Sequence, residues 1–274
     1  MEISNITRLT TSQRHVQKAL MVQLVELYKV IAPEPKISSI WGRLGHMVRK
    51  AHIHVDSQQH QKHQIHQLLQ LVYGEWGFCC DPNQYYQADN LMVNRLLDTK
   101  NGMPLSLGAL VLYLAESLNL PIFPVNFPTQ LILRADVDSE TAFINPWDGE
   151  YILHETLDKW IEGYIGFGLS PDESDLAVAD AELLQDHVVQ YMKNALIREG
   201  RSGEALRLID WCLRKQPDNP YEIRDRGLVL ASMQCIHAAL ADFDYFVEQC
   251  PDDPSADLLR DQLTGAMVQE YSIH

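Results

Sequence analysis

Apolar residues recur three and four positions apart along Val16 to Ile31, Ile40 to His52 and Gln58 to Tyr73, the period of helices that bury one face. The opening of the chain is therefore predicted to be helical. From Leu105 to Ala115 the chain carries no charge until Glu116, and Pro104, just after Asn101-Gly102, suits a first helical turn because its missing N–H has no acceptor there. This predicts a buried helix over Leu105 to Leu118. Beyond it the pattern shortens to Ile122–Phe127, Gln130–Arg134 and Ala142–Asn145, bounded by Pro128, by Asp136 to Ser139 and by Pro146 to Gly149. Such short runs between turn residues predict antiparallel strands, here packed on the buried helix.

The C-terminal part repeats. Pro217-Asp218-Asn219-Pro220 returns as Pro251-Asp252-Asp253-Pro254 at an offset of 34, and Ala205/Ala239, Ile209/Phe243 and Trp211/Tyr245 follow the same offset. That is the tetratricopeptide period, in which a small residue lets two helices approach and a Pro follows the second helix. Gly227 fits the small position on the first helix of the second copy, whereas Lys193 stands there in the first. Two copies are fewer than an independent array needs, so Ser255 to Tyr271 is expected to cap them. Gly163 to Asp175, rich in Gly and acidic residues, reads as a linker, dividing the chain into a first domain over 1–165 and a helical repeat module over 176–274.

Composition removes several functions. No apolar run approaches the ~20 residues of a membrane span, and residues 1–20 lack the apolar core of a secretory signal. A cytosolic, non-membrane protein is expected. The five cysteines have no framework spacing, so reduced thiols are expected. The net charge of −15 is uneven: residues 1–134 hold 12 Lys/Arg against 9 Asp/Glu, and residues 135–274 hold 10 against 28. An acidic half of this size repels a phosphate backbone and argues against nucleic-acid binding.

The segment NGMPLSLGALVLYLAESLNLPIFPVNFPTQLILR, the later FINPWDGE, the earlier Gly74-Glu75-Trp76-Gly77-Phe78 and Pro220 to Gly227 together resemble the SirB-type family of transglutaminase-like proteins with a tetratricopeptide tail. The resemblance implies an α+β, mostly helical, papain-like domain with a small antiparallel sheet, followed by an all-α repeat module. It also implies a Cys at the start of a buried helix, a His on the next strand and an Asp beyond it. Such a group works because helix dipole and imidazolium lower the thiol pKa, and the carboxylate fixes the His tautomer. Aligned to that pattern, Pro104 takes the Cys position, Gln130 the His position and Asn145 the Asp position. All three roles are expected to be lost, leaving a non-catalytic protein that binds another protein. The alternative is a cysteine-protease-like or serine-based amidase using an unrecognised site. Ser106 is its weak candidate, with no His between His66 and His154 to serve it.

Other residues invite chemistry. His60, His63 and His66 lie on neighbouring turns, close after His52 and His54, but the surrounding Gln residues suggest a solvated face, and neither a metal nor another cofactor is expected. Cys79 and Cys80 read as structural, and His154 as a helix-start or surface residue. In the tail, the position of Gly227 places Gln190, Asn194, Tyr221, Arg224 and Leu228 on the inner face of an expected partner groove. Arg224 there would hold an acidic side chain or a C-terminal carboxylate, or pair with a neighbour such as Asp225 or Glu222.

Overall fold

The computed structural model describes residues 9–260. The chain divides into two compact units, one running to Lys29 and from Glu34 to Met192, the other comprising Val30–Pro33 and the chain from Lys193 onward.

The first unit opens with α1 (Thr11–Ile31), α2 (Ile37–His54) and α3 (Gln61–Leu69), the last prolonged by a wider π-helical segment to Glu75. A short α4 (Val93–Thr99) precedes α5 (Pro104–Ser117), which has Pro104 in its first turn. Every α5 residue from Pro104 to Leu112 is buried, as expected of a helix apolar all round. Its one charged residue, Glu116, sits near the C-terminal end, where the helix dipole disfavours an anion. Arg14 at 3.0 Å and Lys18 at 2.9 Å, both from α1, offset it.

The strands β1 (Ile122–Asn126), β2 (Leu131–Val137), β3 (Glu140–Ile144) and β4 (Tyr151–Ile152) form one antiparallel meander in sequence order. The expected turn at Asp136–Ser139 narrows to two residues. Asp138 (φ 53°) and Ser139 (φ 63°) both take the left-handed conformation that a tight hairpin requires, and Asp136 stays in the strand, where its carboxylate binds Arg134 and Thr141. After β4, α6 (His154–Tyr164) lays Leu157 and Ile161 against Val125, Phe127, Ile132 and Phe143.

The segment expected to link two domains is tied to the sheet at its far end. Arg134 Nη1 donates to Leu176 O at 3.1 Å, Ala179 N donates to Pro124 O at 2.8 Å, and Leu176 packs on the β-sheet core. These contacts hold residues 176–179 in the first unit, so the chain divides within α7 (Ala181–Arg198), beyond the Gly163–Asp175 stretch.

The second unit continues α7 with α8 (Ser202–Lys215), α9 (Pro220–Ser232) and α10 (Ile236–Gln249). The repeat positions are occupied as expected: Ala205, Ile209, Ala239 and Phe243 are buried. A Cβ on Gly227 would stand 2.7 Å from Phe243 Cε1. The repeated Pro-Asp-Asn/Asp-Pro also starts the next helix: Asn219 Oδ1 accepts from Tyr221 N at 3.0 Å, and Asp253 Oδ1 from Ser255 N at 2.8 Å, each followed or preceded by Pro at the first turn. The expected capping stretch Ser255–Tyr271 is helical from 254 to 260; its remainder lies outside the described residues. Among the described residues, no helix is long and apolar enough to cross a membrane.

Candidate functional site

Two of the three aligned positions, Gln130 and Asn145, come together where α5 meets the sheet. A Cβ on Gly108 would stand 2.7 Å from Leu131 Cδ2 and 3.5 Å from Pro146 Cβ. The residue after Gln130 and the residue after Asn145 thus both press on α5, one turn from Pro104. Antiparallel pairing of Leu133 with Ile144, continued one step, brings Asn145 opposite Ile132 and puts Gln130 and Asn145 at the same end of the sheet. Both line one cleft of about 440 Å³ with Trp147, Lys159 and Trp160. Pro104 is not part of its lining and lies buried at the helix start.

The Asn145 amide is engaged in the local turn. Asn145 Oδ1 accepts from Trp147 N at 3.1 Å and Asn145 O accepts from Gly149 N at 2.8 Å, so its amide closes the β3–β4 turn. Tyr73 donates to Pro146 O at 2.8 Å, and its ring lies against Gly149. Burial pushes the Tyr73 hydroxyl well above its usual range, so it is a permanent donor.

Ser106 is fully buried. Its Oγ donates to Asn90 O at 2.5 Å and accepts from Met103 N at 3.1 Å, which closes the first turn of α5 in the manner of a capping box. Asn90 Nδ2 donates to Gln84 O, and Asn90 Oδ1 accepts from Asn101 Nδ2 at 3.1 Å. This amide network ties the 84–90 segment to the start of α5, and a hydroxyl so engaged offers no exposed nucleophile.

The histidines are spread apart. Among the described residues no three His, Cys, Asp or Glu side chains gather as a metal-binding group. His63 and His66 are exposed. His60 is exposed as well, and it also makes contacts: its Nδ1 accepts from Lys62 N at 3.3 Å as the N-cap of α3, and its Nε2 lies 2.8 Å from Asp138 on the β2–β3 hairpin. His154 begins α6 with its ring edge-on to Phe143.

On the tail, Asn194 is exposed, and α9 presents Tyr221 and Leu228 at 46% and 39% exposure. Gln190 falls on the first unit's side of the division. Arg224 finds its carboxylate within the chain: Nε and Nη2 donate to Asp225 Oδ1 at 3.1 and 2.8 Å, and the guanidinium stacks 5.3 Å from both the Tyr221 and Phe246 rings. The local pair that the sequence offered Arg224 is thus present. Behind it Lys193, 1% exposed, places Nζ 2.7 Å from Glu222 and 2.6 Å from Asp225.

Residues 39–188 match the transglutaminase-like superfamily, and residues 192–264 match the tetratricopeptide repeat. The chain is 48% identical to the UPF0162 protein PM0557 of Pasteurella multocida over 95% of its own length and 99% of that protein. It is 37% identical to protein SirB1 of Salmonella typhimurium over 86% of its length and 88% of that protein. The chain belongs to the SirB1/UPF0162 family of transglutaminase-like proteins. Another relative, the UPF0162 protein YchA of Escherichia coli, is 40% identical over 74% of the chain and 76% of that protein. No solved structure matches the chain.

In this member of the SirB1/UPF0162 family the thiols nearest to buried polar groups are poor nucleophiles. Burial pushes Cys80 up to about 12, with Cys79 and Asp81 adding to the shift; burial does the same to Cys212, beside Glu222. A catalytic thiol needs the opposite shift. Iodoacetamide at pH 7.5 is therefore expected to modify the exposed Cys79 and Cys235 and to leave Cys80 and Cys212 unmodified until the protein is denatured. Peptide mass spectrometry reads the outcome, and rapid labelling of Cys80 in the folded protein would contradict its burial. Sequence reasoning missed Trp147, Lys159 and Trp160 in the cleft, and Asn90 and Asn101 in the network around Ser106. Nothing in a helical or strand period marks them, because they come from a turn, one face of α6 and an irregular segment.

Proposed function

We propose that this protein is a non-catalytic, cytosolic member of its family that acts by binding another protein, with the tetratricopeptide tail presenting the contact surface. The observation that carries the proposal is the use made of the active-site positions. Pro104 starts α5, Asn145 closes a turn and Ser106 ties down a buried amide network, so none offers a nucleophile or a base. The five cysteines, all free, suit a reducing compartment. Stacked helix pairs form extended surfaces used for binding, and exposed Tyr221 and Leu228 on α9 are suitable anchors, aromatic side chains being favoured at such contacts.

Full-length protein is expected to leave dansylcadaverine incorporation into casein, and release of ammonia from glutaminyl peptides, at background. Ser106→Ala should cost about 1–3 kcal/mol through the lost buried hydrogen bonds without altering that background. Turnover by the unmodified chain that disappears in Ser106→Ala would overturn the proposal in favour of a serine-based amidase. For the surface, a partner captured by the unmodified protein should be mostly lost with Tyr221→Ala/Leu228→Ala in protein that circular dichroism shows to remain folded. Full recovery with that variant would move the interface off α9.

A further inference from the structure

A separate cleft of about 420 Å³ opens in the first unit between α2, the aromatic stretch after α3 and the end of α4. Its apolar wall comes from Met47, Trp76, Phe78 and Leu97, with Phe78 and Leu97 buried and Trp76 edge-on to Phe78 at 6.5 Å. Its rim carries basic side chains, with Arg43, Lys50 and Lys100 charged at neutral pH. Arg43, His46 and Lys50 stand on one face of α2 at spacings of three and four, and Lys100 faces the cleft from beyond α4.

The α2 face is open because the residues that α2 buries are Ile40, Leu44 and Ala51, and a Cβ on Gly42, in the lining, would meet nothing within 4 Å. Arg43 is answered by Asp98 at 2.6 Å. Among the described residues, no carboxylate pairs with Lys50 or Lys100. Lys100 also holds the left-handed position (φ 61°) that ends α4, where Gly or Asn is usual. These cations stand in the part of the chain, residues 1–134, that holds 12 Lys/Arg against 9 Asp/Glu, so that part has nearly enough carboxylates to balance its basic residues, yet among those described none is set against these two lysines.

We propose that this cleft binds an acidic peptide segment of a partner protein carrying one bulky apolar side chain. The apolar wall takes that side chain, and a pocket of this size with few polar groups is the ordinary form of such an anchor site. Arg43 and Lys50 are seven residues apart on one helix, about 10 Å along its axis, and do not converge on a single anion. An extended chain advances about 3.3 Å per residue, so carboxylates on either side of the anchor reach both ends of the rim. Charge complementarity then sets its direction and register. The site is distinct from the α9 surface and does not depend on it.

The test is selection of a phage-displayed random dodecapeptide library on the full-length protein. Enriched peptides are expected to carry Asp or Glu on both sides of a Trp, Phe or Leu. A fluorescein-labelled copy of the most enriched peptide should lose affinity by about tenfold or more for Lys50→Glu/Lys100→Glu, and comparably for Gly42→Leu, which fills open space on a helix. Both variants should keep the melting temperature of the unmodified protein, and Tyr221→Ala should bind the peptide normally. No enrichment, enrichment without acidic residues, or an affinity for either cleft variant equal to that for the unmodified protein would overturn the proposal. So would undiminished binding of the same peptide with its apolar residue replaced by Ser.

Discussion

Lys193→Met is expected to lower the stability of the second unit by about 3–5 kcal/mol, an effect large enough to separate its urea transition from that of the unmodified protein. The ammonium is 1% exposed and lies within 2.7 Å of Glu222 and 2.6 Å of Asp225. Removing it leaves two buried carboxylates facing an apolar side chain, with Asp225 retaining only its contact with Arg224. The informative companion is Lys193→Met/Glu222→Ala/Asp225→Leu, which replaces the buried ammonium and both carboxylates by apolar groups and leaves the part-exposed Arg224 to water. Such exchanges are often neutral or stabilising, so the triple variant should regain most of the loss. Urea denaturation followed by circular dichroism measures both, and a single variant as stable as the unmodified chain would show that Lys193 is not held as described.

Gly149→Ala should cost about 2–5 kcal/mol, from two sources that act together. The residue has φ +79°, which costs a side-chain-bearing residue roughly 1–2 kcal/mol. Its Cβ would also stand 2.3 Å from Tyr73 Cδ2 and 2.7 Å from Cε2. Overpacking of that kind typically costs about 1–3 kcal/mol, and the ring cannot swing aside without giving up its hydrogen bond to Pro146 O. Gly163→Ala is the control: it lies in α6 with nothing within 4 Å of the added carbon, and helix propensity alone should make it neutral or stabilising by up to ~1 kcal/mol. Thermal melts of the two variants should diverge, and coincident melts would place the Asn145–Glu150 turn differently.

Much of the fold could be read from period and punctuation. The apolar run after Pro104 is the buried α5, the short runs after it are β1 to β3, and the 34-residue offset marks the helix pairs of the tail. Those features depend on which face is buried, and burial imposes a period. The ends of elements were less legible. His60 caps α3 through an imidazole nitrogen, a choice no capping preference favours, and the hairpin turn was read two residues too wide because Asp136 looks like a turn former while acting as a partner for Arg134 and Thr141.

The candidate site was legible in its identities and not in its uses. That Pro104, Gln130 and Asn145 lack a nucleophile, base and orienting carboxylate follows from side-chain chemistry alone. That Ser106 and Asn90 are locked together follows from a contact sixteen residues apart through an irregular segment, which no local pattern specifies. Arg224 is similar: several acidic neighbours were possible local partners, and only the geometry shows the pair with Asp225.

The interface between the two repeat copies and the one between the second copy and the helical stretch 254–260 are built from different materials at matching positions. Lys193, Glu222 and Asp225 meet at the first; their counterparts 34 residues on, Gly227, Ala256 and Leu259, are all apolar or without a side chain, with Ala256 and Leu259 buried. Charge at one junction thus corresponds to close apolar packing at the next. A chain with its two copies exchanged would set a lysine against Ala and Leu at one junction and strand two carboxylates opposite glycine at the other. The tail therefore has a direction: its copies are similar in outline yet cannot be shuffled, and any lengthening by a duplicated repeat would have to copy a matched junction rather than a single helix pair.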